Sequence, residues 1–385
     1  MSGAISSNNL KNWELEKEAP QNFYSEREAI VKRQGASEDE NFGVKPTQPK
    51  PNFSSCLGML PKDPNGCPYL QLAPMEGVGD RTFRKAMASI GGFDEAVRDF
   101  IRVPRCAHVK SLAREYEADE LAPTPLAAQI MGSEPDLMGA MAQELAQRGA
   151  PRIDVNCGCP SNTVTGRGAG SSLLKAPNIL YEVVRAVVKS VSIPVSIKMR
   201  SGYEDTSLFQ ENLAAAQESG VRYITLHPRT KSDGYGPPAR WDLIAAAKSF
   251  LQIPLVGNGD ICTVEDAVNM LKTTRCDGLM IGRGSIMNPF LFHQIRSRFS
   301  GIPFQSGWED LVRYFGVYAA ELNPNTSLKQ QVGKIKQLMS YFCKGNACLM
   351  ERRQSILTAD TQDPTAFIAL IQPLLRDHWN IRPLA

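Results

Sequence analysis

Short apolar runs alternate with longer stretches of helical period along most of this chain, and that alternation predicts its architecture. From Tyr69 onward, "YLQLAPM" (69–75), "FDEAVRDF" (93–100), "PLAAQIMG" (125–132), "IDVNCG" (153–158), "PVSIKMR" (194–200), "YITLHPR" (223–229), "PLVGNGD" (254–260) and "GLMIGRG" (278–284) each read as a buried strand. Between them, stretches such as "PDLMGAMAQELAQRG" and "SLFQENLAAAQESG" place apolar residues at helical spacing and close on a glycine, the residue that commonly caps a helix C-terminus. Strands apolar on both faces and joined by helices must run parallel, with helices covering them. Eight such units close naturally into a (β/α)8 TIM barrel. A doubly wound open sheet is the competing arrangement, but no switch-point fingerprint supports it. After Ser306 the strand rhythm stops, and "WEDLVRYFGVYAAEL", "LKQQVGKIKQLMSYFCKG" and "DPTAFIALIQPLL" are all helical in period. The expected domains are therefore a barrel over residues 67–305 and a helical domain over 306–385. Residues 1–66 are polar, carry the extended "KPTQPKPNF", and are predicted to form a mostly disordered leader with a short helix near Trp13 or Glu26.

Composition narrows the class. The chain has 385 residues, 42% of them apolar, as in ordinary globular proteins. No run approaches the ~20 consecutive apolar residues that span a bilayer, and the first residues lack both the basic and the apolar regions of a secretory signal. Nine cysteines without an export signal read as reduced thiols, and a cytoplasmic location is expected. The close pairs Cys157–Cys159 and Cys343–Cys348 belong to no paired C-x-x-C pattern, and there are only four histidines, so no metal site is expected. A formal net charge of +3 excludes a protein that grips nucleic acid by bulk charge, so such a partner would have to meet a local patch. No protein partner is expected, and the chain reads as a monomer.

In a barrel, chemistry sits where strands end and their following loops begin. Those ends carry Glu76, Gln129, Asn156 and Cys159, Lys198 and Arg200, His227 and Arg229, Asn258 and Asp260, and Arg283. Any one of them alone could be a polar strand end touching solvent; convergence on one rim is what marks a site. "NGD" and "GRG", after the seventh and eighth strands, stand where many barrels bind a phosphate. Gly257, Gly259, Gly282 and Gly284 would let backbone N–H groups approach its oxygens, with Arg283 adding charge. Lys198 points into the mouth, where an ammonium is costly unless a ligand supplies negative charge. The pyrimidine edge of a reduced flavin would do so, and Gln129 could bond the same edge.

At this point "LAPMEGVGD", "QIMG", "DVNCGCPSNTVTGRGAGSSLLK", "PVSIKMRSGY", "ITLHPRTKSDGYGPPARW", "VGNGDI" and "MIGRG" together resemble the tRNA-dihydrouridine synthases. "NCGCP" and the tail "KIKQLMSYFCKG" are most similar to the bacterial C-type branch. The resemblance runs in order from about residue 68 to 380 and leaves the leader without a counterpart. It implies an FMN-dependent barrel that uses NADPH to reduce the C5–C6 double bond of a tRNA uridine, D-loop position 16 by the C-type branch. By the same resemblance Pro74, Met75 and Glu76 form the loop at the flavin. Gln129 and Lys198 hold its pyrimidine edge, His227 lies beside it, and Asn258, Gly259, Asp260, Gly282 and Arg283 hold its phosphate side. Asn156 and Arg200 contact the uridine, and Cys159 is the proton donor. Asp260 stands where the C-type pattern has Glu.

In that chemistry a hydride from flavin N5 adds to uracil C6, and a proton must reach C5. A thiol with an ordinary pKa of ~8.5 is mostly protonated at neutral pH and can serve as that acid. Cys157 shares strand parity with Val155 and should point into packing, which leaves Cys159 to act. Glycines from Gly166 to Gly170 would let its loop close and reopen. A uridine must leave its stack to enter a barrel mouth, at a cost of a few kcal/mol that phosphate contacts must offset. Lys329, Lys334 and Lys336, with Lys344, Arg352 and Arg353, form a basic span in the tail suited to that grip. The alternative function is an FMN-dependent TIM-barrel oxidoreductase acting on a free pyrimidine or another small molecule.

Overall fold

Each of the eight apolar runs contains a strand. The computed structural model describes residue 60 and residues 66–161, 168–236, 238–361 and 363–379. In chain order the elements are β1 (Tyr69–Leu72), α1 (Arg81–Ile90), β2 (Glu95–Val97), β3 (Ile101–Arg102), α2 (Val109–Ala113), β4 (Leu126–Met131), α3 (Pro135–Gln147), β5 (Ile153–Cys157), α4 (Pro177–Ser190), β6 (Val195–Gly202), α5 (Phe209–Glu218), β7 (Ile224–Thr230), α6 (Trp241–Phe250), β8 (Leu255–Asn258), α7 (Val264–Thr274), β9 (Gly278–Ile281), α8 (Arg283–Met287) and α9 (Leu291–Ser300). Beyond them come α10 (Trp308–Ala320), α11 (Leu328–Phe342), α12 (Ala347–Glu351), α13 (Arg353–Thr358) and α14 (Pro364–Trp379).

Every strand pairing is parallel, and the sheet closes on itself. β1 lies between β9 and β2, with Leu70 opposite Leu279, and β2 returns to β4, with Ala96 opposite Leu126. That last pairing rules out an open doubly wound sheet and makes the fold a TIM barrel. β3 is an addition to the expected eight. It pairs with the upper part of β4 after β2 has paired with the lower part, so the two behave as one interrupted strand.

Strand alternation sorts the side chains into two layers. Ile153, Val155, Cys157, Ile197 and Met199 join the large core shared with Leu180, Val183 and Val187 of α4. Tyr69, Ala73, Val97, Ala127, Tyr223, Val256 and Met280 form a separate cluster inside the barrel. Leu60 belongs to that inner cluster and is 7% exposed. An apolar side chain from the stretch expected to be leader thus packs with the barrel's interior. The rest of the leader lies outside the described residues.

The glycine stops expected after α3 and α5 are present as Gly149 and Gly220, with φ of 86° and 90°. α10, α11 and α14 correspond to the three helical runs of the tail. α10 packs on α1, where Thr82 Oγ1 donates to the Glu321 carbonyl at 2.9 Å and Lys85 pairs with Glu321 at 2.8 Å. The tail thus stands beside the β1–α1 turn. Among the described residues no helix is long and apolar enough to cross a membrane.

Candidate functional site

The barrel interior is polar to an unusual depth for a fold normally filled by branched apolar residues. At its lower level Arg152 pairs with Glu95 at 2.5 Å and with Asp154 at 3.2 Å, and lies 5.0 Å from the Tyr223 ring centroid. Gln71 donates to Glu95 and to the Tyr223 hydroxyl, both at 2.7 Å. β8 and β9 separate β1 from β7, so the Gln71–Tyr223 bond can only cross the interior. Ser196 Oγ accepts from Arg152 and donates to Asp154, linking the two.

One level higher, Asp154 accepts from Gln129 Nε2 at 2.7 Å, and Gln129 Oε1 accepts from Asn156 Nδ2 at 2.9 Å. Both oxygens of Asp154 are thereby occupied. Lys198 lies opposite Asn156 on the neighbouring strand. It receives charge compensation from Asp154, yet its ammonium has no hydrogen-bond partner among the described residues. Burial, followed by repulsion from Arg200, lowers its pKa to about 8. Thr225, opposite Lys198 on β7, has a buried hydroxyl that also lacks a partner. An amine in this setting suits an anionic or hydrogen-bond-accepting ligand edge.

The turns after β8 and β9 form a second cationic region. Asp260, at φ 56°, accepts from Arg229 at 2.6 Å, from the Ala239 N–H at 2.8 Å and from Arg283 at 3.1 Å. Partial burial opposes its ionisation, but these bonds hold the carboxyl below its usual range. Gly259 has φ 116°, and a Cβ there would come within 3.0 Å of the His227 ring. At Gly284 a Cβ would run into the Ile261 carbonyl, so the two turns touch only because that residue is glycine. His227 is held neutral, first by burial and then by Lys198, Arg200, Arg229 and Arg283. The mouth as a whole favours an anion on this side.

Cys159 faces the same mouth from above β5. Its N–H and that of Gly158 donate to Asn156 Oδ1 at 2.9 and 3.0 Å, while its carbonyl accepts from Ser171 N–H and Oγ. The side chain rests against Met131, Ala169 and Phe100, and its thiol donates to Glu76 Oε2 at 3.6 Å. The residue is 6% exposed, and burial above all raises the thiol pKa to about 11. An acid of ordinary strength was expected; the structure holds the proton more firmly. Cys157 is fully buried in the outer core, as its parity requires. Part of the expected hinge, residues 162–167, lies outside the described residues, but Gly168 and Gly170 adopt φ of 77° and 63°.

Arg200 is more constrained than a substrate contact need be. It is 2% exposed, donates through Nε to the Gly158 carbonyl at 2.9 Å and through Nη1 to the Thr230 and Gly234 carbonyls at 2.7 and 2.9 Å. It braces the cysteine turn against the β7–α6 loop. Tyr235, 58% exposed, lies 5.3 Å from Arg200 and 5.1 Å from Arg283, ring centroid to guanidinium carbon.

The tail lysines expected to grip tRNA differ in their surroundings. Lys329 is exposed on α11. Lys334 donates to the Gly77 carbonyl and pairs with Asp80 at 2.9 Å, and Lys336 donates to the Ala359 carbonyl at 2.6 Å. The five residues from 329 to 334 turn an α-helix by about 140°, so those two cannot share a face. Two of the three lysines tie the tail together or to the β1–α1 turn.

Pro74, Met75, Glu76, Cys159, Gly259, Asp260, Gly282 and Arg283 lie beyond the C-terminal ends of their strands and Asn258 ends β8, whereas Gln129, Asn156, Lys198, Arg200 and His227 lie within β4, β5, β6 and β7. Sequence reasoning passed over Asp154 and the Glu95–Arg152 pair. Period-two alternation back from Asn156 would have placed Asp154 and Arg152 inside the barrel. Tyr235 sits in an irregular loop where no periodicity could mark it.

Residues 71–365 match the Dihydrouridine synthase (Dus) family. The chain belongs to that family, whose members are flavin-dependent oxidoreductases. Among curated relatives, the tRNA-dihydrouridine(16) synthase of Ralstonia nicotianae is 34% identical over 282 residues, 71% of this chain and 86% of that protein. The tRNA-dihydrouridine(16) synthase of Shewanella oneidensis is 36% identical over 280 residues, covering 70% and 87%. That of Neisseria meningitidis serogroup A is 36% identical over 288 residues, covering 71% and 85%. This dihydrouridine synthase therefore has its family relationship across both the barrel and most of the helical tail.

Proposed function

We propose that the chain is an FMN-dependent tRNA-dihydrouridine synthase that draws on NADPH to reduce the C5–C6 bond of the uridine at D-loop position 16. The position is the one carried in the names of the relatives above. The observation that carries the reading is that the Cys159 thiol, donating to Glu76, shares one mouth with Lys198, whose ammonium has no hydrogen-bond partner among the described residues.

Lys198 and Gln129 would take the pyrimidine edge of the flavin, and the Asn258–Asp260 turn with Gly282 and Arg283 its phosphate side. Pro74, Met75 and Glu76 form the loop at the ring, with neutral His227 beside it. FMN held by these residues would supply the hydride for uracil C6, with NADPH as its reductant. Cys159 gives its proton to C5, and burial keeps that proton on sulfur until a base is in place. Asn156 sets the turn that presents the thiol, and Arg200 braces the turn from the other side. Closure over a flipped uridine excludes water from the proton transfer.

Replacement of Cys159 by Ala should leave FMN absorbance intact and abolish nearly all dihydrouridine formation in unmodified tRNA, while Cys157→Ala keeps activity. The reverse pattern would overturn the assignment. NADPH oxidation as fast with free uracil as with tRNA would favour the small-molecule oxidoreductase instead. Mapping dihydrouridine in the product tRNA checks the position.

A further inference from the structure

The thiol of Cys159 has a neighbour that the reaction as described does not use. Its backbone is fixed on both sides, by Asn156 Oδ1 at the N–H and by Ser171 at the carbonyl, so little besides χ1 remains to aim the sulfur. The seat of Met131, Ala169 and Phe100 is apolar and offers no directional contact. The direction comes from the opposite rim, where Glu76 Oε2 accepts the thiol's hydrogen bond at 3.6 Å. Glu76 is exposed in the turn after β1, whereas the sulfur is buried behind it.

We propose that Glu76 is the positioning residue of Cys159: its carboxylate aims the sulfur into the mouth and keeps the proton on it. This inference rests on Cys159 being the acid of the proposed reaction. The charged groups facing the sulfur are Glu76 from the β1 turn and Arg200 from β6, and Ser161 contributes a backbone hydrogen bond from the cysteine's own loop. Arg200 and Ser161 favour the thiolate; Glu76 alone among them favours the thiol. When the S–H bond breaks and the C5–H bond forms, the electron pair stays on sulfur beside a carboxylate. The resulting repulsion returns a proton from solvent to the thiolate.

The test is iodoacetamide labelling of the purified FMN-loaded protein between pH 7 and 10, without tRNA or NADPH. Mass spectrometry of the peptide containing residue 159 reads the rate, and exposed Cys106 serves as internal reference. Cys159 in the native chain should label far more slowly than Cys106 throughout this range. Glu76→Gln, which keeps the shape and removes the charge, should raise Cys159 labelling about tenfold at pH 7–9. Cys106 labelling should stay unchanged, and Glu76→Asp should restore most of the protection. Labelling of Cys159 in Glu76→Gln at the native rate and with the native pH dependence would overturn the proposal. Failure of the catalytic reading would appear elsewhere, as turnover surviving in Cys159→Ala with this titration unaffected.

Discussion

Lys198 allows the cost of the site to be weighed directly. Its pKa falls from the ordinary lysine value of 10.5 to about 8 in the folded chain. At ~1.4 kcal/mol per pH unit, that gap corresponds to roughly 3 kcal/mol charged against the flavin-free fold. The side chain keeps some contact with solvent at the mouth, so this is an upper bound. The sign follows from proton binding: between pH 8 and 10.5 the unfolded lysine holds a proton that the folded one has released, so stability rises with pH through that window. The cost is fully present below pH 8 and gone above about 10.5. Lys198→Met fills a similar volume without charge. It should stabilise the flavin-free protein by up to ~3 kcal/mol at pH 7, with the advantage vanishing toward pH 10.5. Urea denaturation of both proteins across pH 7–10.5 measures the difference, and the variant should also lose flavin on gel filtration. A Lys198→Met protein that is less stable at pH 7, or whose advantage does not shrink as pH rises, would refute the reasoning.

Other perturbations separate the structural charges from the functional ones. Arg152→Met strands Glu95 and Asp154 inside the barrel and should cost ~3–5 kcal/mol, read as a lower urea midpoint at unchanged slope. Lys329→Ala should weaken tRNA binding and reduce its salt dependence in a filter or anisotropy assay while leaving melting unchanged. Lys334→Ala breaks a partly exposed ion pair with Asp80 and should cost no more than ~1 kcal/mol in urea denaturation.

The barrel was readable because its determinants are local. Runs such as "PLAAQIMG" and "GLMIGRG" are apolar on both faces, and only a parallel sheet covered by helices buries both. Glycines at 149 and 220 end helices for reasons visible in any chain. The positions of the candidate residues were readable in the same way, since a polar group in the last part of an apolar barrel strand must lie toward the mouth. What escaped was any property created by two distant segments meeting. The raised thiol pKa of Cys159 depends on its burial and on Glu76, 83 residues away. The Lys334–Asp80 pair spans 254 residues. Leu60 ends the short run "CLGML" (56–60), too brief for periodicity to register, and its burial depends on an opening that exists only once the barrel has closed.

The two interior levels of the barrel explain why the upper one reads as a ligand site and the lower one does not. At the lower level the chain supplies a partner for every charge: Arg152 meets Glu95, Asp154 and Ser196, and the Gln71 amide nitrogen meets Glu95 and Tyr223, leaving the Gln71 Oε1 alone there without a partner among the described residues. Its charges are expensive to bury, but the paired geometry offsets much of that cost, and removing one member would destabilise the fold. At the upper level the same strands leave the Lys198 ammonium and the Thr225 hydroxyl without hydrogen-bond partners among the described residues. Both oxygens of the nearest carboxylate are already held from below and from the side. Folding alone gains nothing from an amine held there, whereas binding a ligand with an acceptor edge does. The lower network is what makes that arrangement durable, because it fixes Asp154, and through Asp154 the Gln129 amide, before any ligand arrives.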